Sequence, residues 1–472
     1  MHMPPNEAPL FDRPATELVA AMRDGSLAVG DVVAAHLDRI AALDPALAAW
    51  ITIDGEAARA TAAALDGLPP ARRGPLHGLP VGVKDLIDTA GPVTTQGSIL
   101  YADRLPIRDD LVVARLRAAG AVILGKTNTP EFGMGAVCTN RICGPTRNPF
   151  DLALTSGGSS GGSAVAVATG MAAAALGTDF GGSVRTPSSF CGTVAVRPTP
   201  GRLPSPTRAL GADTTATQGV MGRSVDDCFL LLDALAGPHP HDPTSAIVDR
   251  PAVEAPRVAV SVDLGVAPVA EAVRARFAEA VDALAAVLGP VVRATPDCTG
   301  AVEAFKTIRA AHVRHAYGSL ADRFGDRLTP TVAWNIAAGA GLSAEAYLAA
   351  EAQRTALRRR FADFFAEHDL LITPAASVLP WPNADGEVVA IDGRPLGDVL
   401  DYLAITFVVS LTGHPVLSLP APQGDYALPF GLQIVARPGE EETLRLVGRR
   451  LEAAGFRHRW PPLLGPPAPP IP

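Results

Sequence analysis

The hydrophobic positions of the first fifty residues repeat with the spacing of α-helices. An apolar face made by Leu18, Val19 and Met22 predicts a first helix that ends at Gly25. A second helix is predicted to end at Pro45, because proline lacks the N–H that continues the hydrogen-bond ladder. Its apolar face consists of Val32, Val33, Leu37, Ile40 and Leu43.

Short apolar runs with flanking turn residues predict buried strands farther along the chain. Two such runs, residues 79–83 and 121–124, enclose a helical pattern from Asp110 to Gly120. Strand, helix and strand in this order predict an α/β sheet covered by helices on both faces. Residues 164–176 are mostly alanine and predict a buried helix, since a membrane span needs roughly 20 strongly apolar residues.

The second half of the chain continues the same alternation. A strand at residues 257–262 precedes a helix that ends at Gly289, and the region from about 300 to 366 is helical and alanine-rich. Late strands are predicted at residues 370–374, 415–420 and 431–436. No repeat or composition break divides the chain, so we expect one α/β domain over residues 1–472. Its proline-rich tail, residues 461–472, is expected to be extended on the surface or disordered.

Composition excludes several classes of protein. The formal net charge of −8 argues against a nucleic-acid binder, which would have a concentrated basic face. The five cysteines form no CxxC pair and lack histidines at zinc-site spacing, so reduced thiols in a cytoplasmic protein are expected, without a metal. The N-terminus has no basic region followed by an apolar run, which predicts no signal peptide, and nothing predicts a membrane partner.

Lysine usage singles out one candidate base. Only three of the 40 basic residues are lysines: Lys84, Lys126 and Lys306. Unlike arginine, a buried lysine can lose its proton near neutral pH and act as a base for a serine. Compositional drift is the simpler explanation of three surviving lysines. The nearby glycine-rich motifs favour a function for Lys84.

Two serine–glycine clusters, residues 157–163 and 179–185, follow this lysine. The first could hold phosphate at a helix start, although the lysine of a Walker loop is missing. It also matches a Gly-x-Ser-x-Gly nucleophile elbow centred on Ser159 or Ser160, which would need a downstream histidine such as His414. A structural glycine turn is the third alternative. The cluster alone leaves all three open.

The clusters together with Lys84 resemble the amidase signature family of serine hydrolases. The resemblance is densest over residues 78–202 and extends over most of the chain, with matches at residues 125–128, 131–132, 148–151, 177–185 and 198–202, and weaker ones at 411–415 and 429–433. It implies a mixed central β-sheet covered by helices on both faces. It also implies Lys84 as base, Ser159 as a bridging serine on a cis peptide bond and Ser183 as nucleophile.

The resemblance further implies an oxyanion hole made by the backbone amides of Phe180, Gly181, Gly182 and Ser183. Ser160, Asp179 and Arg185 are implied as supporting residues. Asp179 and Arg185 are expected to brace the loop by hydrogen bonding; the alternative is that these two form an ordinary surface pair. Met134 and Gly135 are pocket residues by family position. The loop from about 203 to 218 and the helical region from about 300 to 366 are expected to shape the substrate entrance.

Three positions depart from the family pattern. Phe180 stands where a small residue is more common, and its ring is expected to narrow or line the pocket. Thr186 and Pro200 replace a glutamine and a tyrosine of the glutamine-dependent tRNA amidotransferase subunit. We therefore expect a stand-alone amidase for small-molecule or aryl amides, with esters and carbamates as further substrates.

The remaining expectations are no cofactor and a monomer or homodimer. The alternative function is an amidotransferase-type subunit that releases ammonia for a partner enzyme. A catalytically idle scaffold is disfavoured because every residue of the expected triad is present.

Overall fold

Fifteen β-strands are found in residues 8–462, the part of the chain that the computed structural model describes. Eleven belong to one large mixed sheet, and the other four form two small hairpins. The strands are β1 (Trp50–Ile53), β2 (Pro80–Lys84), β3 (Val122–Thr127), β4 (Arg147–Asn148), β5 (Asp151–Thr155), β6 (Ala174–Asp179), β7 (Val194–Arg197), β8 (Thr217–Gly222), β9 (Val258–Val260), β10 (Val291–Arg293), β11 (Leu370–Pro374), β12 (Ala390–Ile391), β13 (Arg394–Pro395), β14 (Val416–Pro420) and β15 (Gly431–Val435).

Thirteen α-helices lie in the same described residues. They are α1 (Ala15–Asp24), α2 (Val29–Leu47), α3 (Gly55–Asp66), α4 (Leu111–Ala118), α5 (Gly161–Ala168), α6 (Arg185–Cys191), α7 (Val225–Leu235), α8 (Glu271–Leu288), α9 (Ala301–Phe324), α10 (Pro330–Ala337), α11 (Ala344–Glu367), α12 (Ala404–Thr412) and α13 (Glu441–Ala453). All of them are too short or too polar to cross a bilayer.

The large sheet has the strand order β1-β3-β2-β6-β8-β7-β14-β15-β11-β9-β10. Strands β3, β2 and β6 run parallel to one another, as do β10, β9 and β11, whereas the centre of the sheet is antiparallel. Every residue of β2, β3, β7, β8, β11, β14 and β15 is buried, so helices and loops cover both faces. The predicted α/β class with a mixed, covered sheet is confirmed.

Most predicted elements occur where the hydrophobic pattern indicated them. Helix α4 begins after Asp110, whose Oδ1 accepts a hydrogen bond from the Val112 amide at 3.1 Å, and Gly120 follows it with φ +91°. Helix α8 ends before Gly289, and α9, α10 and α11 fill the alanine-rich region. Strands β11, β14 and β15 match the three late apolar runs.

Two predicted helices end elsewhere. Helix α2 continues through Pro45 to Leu47, because the missing N–H lies in the last turn, where it removes a single hydrogen bond. Residues 164–176 are not one helix. Helix α5 stops at Ala168, Gly170 adopts φ +72°, and β6 then enters the sheet between β2 and β8. A run that is apolar throughout has no period that separates helix from buried strand.

The parallel neighbours β2 and β6 determine where the functional side chains meet. Val83 pairs with Leu176, so β2 ends at Lys84 beside the last residues of β6, which runs on to Asp179. The chain leaves β6 towards Ser183 and α6, while the turn before α5 contains Ser159. Of the proline-rich tail, Pro461 is buried and Pro462 is exposed. Residues 463–472 lie outside the described part, so the expectation for the tail stays a prediction.

Candidate active site

Lys84 is fully buried at the end of β2, with three hydroxyl groups around its amine. Its Nζ lies 2.6 Å from the Oγ of Ser159, 2.9 Å from the Oγ of Ser160 and 2.9 Å from the Oγ1 of Thr178. No carboxylate in residues 8–462 forms an ion pair with this lysine. The amine therefore lies in a polar but uncharged cluster.

Burial lowers the pKa of Lys84 to about 7, although the negative charge of Asp179 opposes the shift. In a large fraction of the molecules, the Lys84 amine is consequently neutral near pH 7. A neutral amine has two N–H donors and one lone pair, so one of its three hydroxyl neighbours must donate to it. Lys84 can thus accept a proton from a serine.

Ser159 and Ser183 lie on two loops that are joined by a backbone hydrogen bond. The Gly158–Ser159 peptide bond is cis, as the family resemblance implied. The amide of Ser160 donates to the carbonyl oxygen of Ser183 at 3.1 Å. Ser159 is 2 % exposed, whereas Ser183 is half-buried and lines a cavity. Of the two serines, Ser183 is the one that a ligand in the cavity can reach.

Asp179 holds the loop after β6 in place. Its carboxylate accepts hydrogen bonds from the Gly182 and Val184 amides at 2.9 and 3.1 Å, and from two guanidinium nitrogens of Arg185 at 2.8 and 3.0 Å. Burial would raise the pKa of Asp179, but Arg185 and Arg197 outweigh it and hold that pKa well below its usual range. Asp179 and Arg185 are both fully buried, which excludes a surface pair.

One of the four amides that were expected to form an oxyanion hole is already engaged within the loop. The Gly182 amide points at Asp179, so this donor is already used. The amides of Phe180, Gly181 and Ser183 donate to no acceptor within residues 8–462. Gly182 instead provides backbone geometry, because it has φ +122° and a Cβ there would collide with the Oγ1 of Thr406.

A cavity of about 280 Å³ opens beside Ser183. Met134 and Gly135 line it, as do parts of the 203–218 loop and of helices α9 and α10. The ring of Phe180 lies in its wall, 5.7 Å from the Phe305 ring and 6.2 Å from the His312 ring. The lining is mainly apolar and includes Phe132, Phe180, Phe305, Val313, Leu400 and Leu403.

His414 does not line this cavity. It is buried elsewhere, with its Nδ1 2.8 Å from the Oγ1 of Thr412 and its ring stacked on Phe365 at 4.8 Å. A nucleophile elbow served by His414 is therefore excluded. Within the described residues, histidine, cysteine and carboxylate side chains form no group of three or more that could hold a metal ion.

Several residues of the site carried no distinct signal in the sequence. Thr178 lies in the stretch 177–185 that matches the family, but no role was predicted for it, although its hydroxyl contacts Lys84. Glu387 and Arg309 line the cavity from segments far along the chain. Glu387 accepts hydrogen bonds from the Ala136 amide at 2.9 Å and from the Tyr402 hydroxyl at 2.7 Å. The contact between Ala136 and Glu387 joins residues 251 positions apart, so no local sequence pattern predicts it.

The other two lysines make their polar contacts away from Ser159 and Ser160, and the cysteines form no disulfides. Lys126 is fully buried and donates to the Oγ1 of Thr89 at 2.8 Å, and Lys306 lies 2.8 Å from Asp398. The five cysteines are unpaired, and all are buried except Cys143, which is half-buried. Lys84 is thus the lysine that meets two serines.

The family model described as Amidase matches residues 31–444, which include Lys84 and both serine–glycine clusters. The chain belongs to the amidase family. It is accordingly an enzyme of the class that acts on carbon–nitrogen bonds other than peptide bonds.

Three members of the family illustrate what this chain is similar to. A glutamyl-tRNA(Gln) amidotransferase subunit from Lysinibacillus sphaericus is 33% identical, over 96% of this chain and 98% of the relative. A bacterial aryl acylamidase of the amidase signature family has a TM-score of 0.89 and 26% identity, with 98% of this chain and 100% of that chain covered. A 6-aminohexanoate cyclic dimer hydrolase, solved with its substrate, has a TM-score of 0.84 and 28% identity, with 97% and 100% covered.

Proposed function

We propose that the chain is a stand-alone amidase that hydrolyses a small-molecule amide with an apolar group, through an acyl-enzyme on Ser183. The supporting observation is the 2.6 Å contact between Lys84 Nζ and Ser159 Oγ, next to a cavity that contains Ser183. A serine hydroxyl is a weak nucleophile until a neighbouring group accepts its proton. Lys84, with a pKa of about 7, is suited to that task.

In the acylation step, the Oγ of Ser183 attacks the carbonyl carbon of the amide. Its proton passes to Ser159, and the proton of Ser159 passes to the neutral amine of Lys84. The C–N bond then breaks, and the leaving nitrogen takes a proton from Ser159, which Lys84 replenishes. Water attacks the acyl-enzyme by the same route and releases the acid, Ser183 and neutral Lys84.

The developing oxyanion is bound by the free amides of Phe180, Gly181 and Ser183. Hydrogen-bond donors fixed before the reaction stabilise this charge without reorganisation, and one such donor is worth a few kcal/mol. Asp179 and Arg185 are positioning residues in this proposal. They hold the loop through the hydrogen bonds that end on the Gly182 and Val184 amides.

The cavity supports an apolar aryl or alkyl group on the substrate, because aromatic and aliphatic side chains make up most of its wall. Esters are expected to react as well, since their leaving groups need less protonation. Carbamates follow if the cavity accepts an oxygen on the acyl side. The unpaired cysteines support a cytoplasmic location.

A second candidate is an amidotransferase-type subunit that releases ammonia for partner chains. Sequence similarity favours it, since curated relatives at 32–36% identity are glutamyl-tRNA(Gln) amidotransferase subunits, whereas solved amidases of the family are 26–31% identical. Thr186 and Pro200 argue against it, because the family resemblance associates that subunit with a glutamine and a tyrosine at these positions. The mainly apolar wall also suits an aryl or alkyl group better than the polar body of glutamine.

Hydrolysis by the purified chain decides between the two functions. An aryl amide, ester and carbamate of the same acyl group, and L-glutamine, are assayed with wild type, Ser183→Ala and the control Ser319→Ala, an exposed serine on α9. Turnover of the aryl amide that disappears only in Ser183→Ala supports the stand-alone amidase. Glutamine-derived ammonia without aryl amide turnover supports the amidotransferase-type function, and full activity of Ser183→Ala contradicts both.

A further inference from the structure

Arg309 on α9 places a guanidinium in the wall of the cavity that contains Ser183. Its Nη1 donates to the Oδ1 of Asn335, which also lines the cavity. No carboxylate in residues 8–462 lies within ion-pair distance of this guanidinium. Arg309 is therefore a cation in a largely apolar wall, held by a neutral amide.

The acidic residues nearest to Arg309 have other partners. Asp398 forms an ion pair with Lys306, 2.8 Å away, and shares this lysine with Asp401. The two carboxylate oxygens of Glu387 accept hydrogen bonds from the Ala136 amide at 2.9 Å and from the Tyr402 hydroxyl at 2.7 Å. Glu387 thus fixes the wall segment without contacting Arg309, although its charge and that of Asp398 act on the guanidinium from a distance and oppose the lowering of its pKa by burial.

Asp213, the carboxylate that lines the cavity together with Glu387, is also engaged. It lies 3.8 Å from the Nδ1 of His312 and 4.0 Å from the Nη1 of Arg354. The acids near Arg309 are thus engaged by other groups, and none of them contacts the guanidinium. Arg309 is half-buried, and an anion in the cavity would give this guanidinium the contacting counter-charge that no carboxylate of residues 8–462 provides.

Two donor atoms of Arg309 remain unused. Its Nε and Nη2 donate to no acceptor in the described residues, and neither is sealed from solvent. Burial lowers the pKa of Arg309 to about 10, so the group is still charged at neutral pH. A planar guanidinium edge with two free donors matches the two oxygens of a carboxylate.

We propose that Arg309 binds a free carboxylate of the substrate, so that the substrate class is an amide with an apolar body and a carboxylate away from the scissile bond. The inference rests on the proposed function for the reaction itself. Binding of the carboxylate does not require turnover and is measured separately. L-glutamine also has such a carboxylate, so either candidate function can use the site.

Two matched pairs of probes test the proposal. Glutaranilate, the monoanilide of glutaric acid, is compared with the neutral hexananilide, which places the charge on the acyl side. N-Butyryl-4-aminobenzoate is compared with butyranilide, which places it on the amine side. Binding is measured by calorimetry in Ser183→Ala, where no hydrolysis is expected, so failure of the proposed reaction leaves this test intact.

We expect the acid of one pair to bind about tenfold to hundredfold more tightly than its neutral partner, the range for a hydrogen bond to a charged group. Adding Arg309→Leu should remove this difference and leave the neutral probe unchanged, while Arg309→Lys should retain part of it. The control Arg323→Leu removes an exposed arginine of the same helix and should change neither.

Kinetics of the otherwise wild-type enzyme provide a second readout. Arg309→Leu should raise KM for the preferred acid by about tenfold or more and change kcat little, because a remote binding contact acts on ground state and transition state alike. Equal binding of acid and neutral probe in both pairs overturns the proposal. A preference that survives Arg309→Leu also overturns it.

Discussion

The Nζ of Lys84 lies 2.6 Å from the Oγ of Ser159, although 75 residues separate them in the chain. Burial at the end of β2 lowers the pKa of the lysine to about 7, and the parallel pairing of β2 with β6 brings Thr178 to the same amine. The base of the proposed reaction is therefore prepared by the sheet, before any substrate binds.

The activity should depend on the protonation of Lys84. We expect kcat/KM for an aryl amide to rise with pH through about 7, because the lysine must lose its proton to act as base. Lys84→Met should lower the rate by about 10²- to 10⁴-fold and flatten this acid limb. Lys84→Arg serves as the control that keeps the charge, and we expect it to be equally inactive. An unchanged pH profile in Lys84→Met contradicts the assignment.

The burial of Lys84 should also make the stability of the fold depend on pH. The pKa of Lys84 lies at about 7 in the folded chain, against an ordinary value of 10.5, so between these pH values the unfolded chain binds more protons. The contribution of Lys84 to the free energy of unfolding should therefore rise with pH across this window and stay constant below it. Urea titrations of wild type and Lys84→Met at several pH values measure the difference. If the free energies of unfolding of wild type and Lys84→Met differ by the same amount from about pH 7 to 10.5, the lowered pKa of Lys84 is contradicted.

Asp179→Asn should destabilise the fold as well as stop catalysis. The substitution leaves the buried Arg185 and Arg197 without their carboxylate, and removing one partner of a buried ion pair costs about 3–5 kcal/mol. Asp322→Asn is the matched control, because its pair with Arg314 is exposed and should contribute less than about 1 kcal/mol. Equal free energies of unfolding for the two variants argue against the bracing role of Asp179.

Gly182→Ala should abolish activity through the backbone. An alanine Cβ would collide with the Oγ1 of Thr406, at φ +122°, so the loop must move together with its amides. Gly325→Ala is the control, since its φ is −56° and no other heavy atom lies within 4 Å of the added Cβ. Steady-state rates for an aryl amide compare the two variants. Wild-type rates in Gly182→Ala would show that the loop geometry is not critical.

Phe180→Ala should change substrate size preference more than stability. Its ring is half-buried in the cavity wall, so truncation enlarges the space beside Ser183 and should favour longer acyl groups in a series of anilides. Phe305→Ala, in contrast, removes a buried ring stacked 3.9 Å from Phe407 and should cost about 3–5 kcal/mol. An unchanged size profile in Phe180→Ala would place the acyl group elsewhere.

The elements that the sequence determined are those with a local signal. The apolar faces of α1, α4 and α8 and the bounded apolar runs of β2, β3 and β11 were identifiable because side-chain spacing and terminating glycines or prolines act within a few residues. The scarcity of lysine and the two serine–glycine clusters identified Lys84, Ser159 and Ser183 as a group. The family and its fold followed from these motifs.

Tertiary structure decided what depends on distant partners. Residues 174–176 are a strand because β2 and β8 pair with them, which an alanine-rich run does not reveal. The Gly182 amide is occupied because Asp179 turns back to it. Arg309 lines the cavity because α9 packs over the loop of Phe180, and no carboxylate contacts it because Glu387 and Asp398 are held by other groups. The long-range contacts are set by packing and charge, and no local pattern in the sequence encodes them.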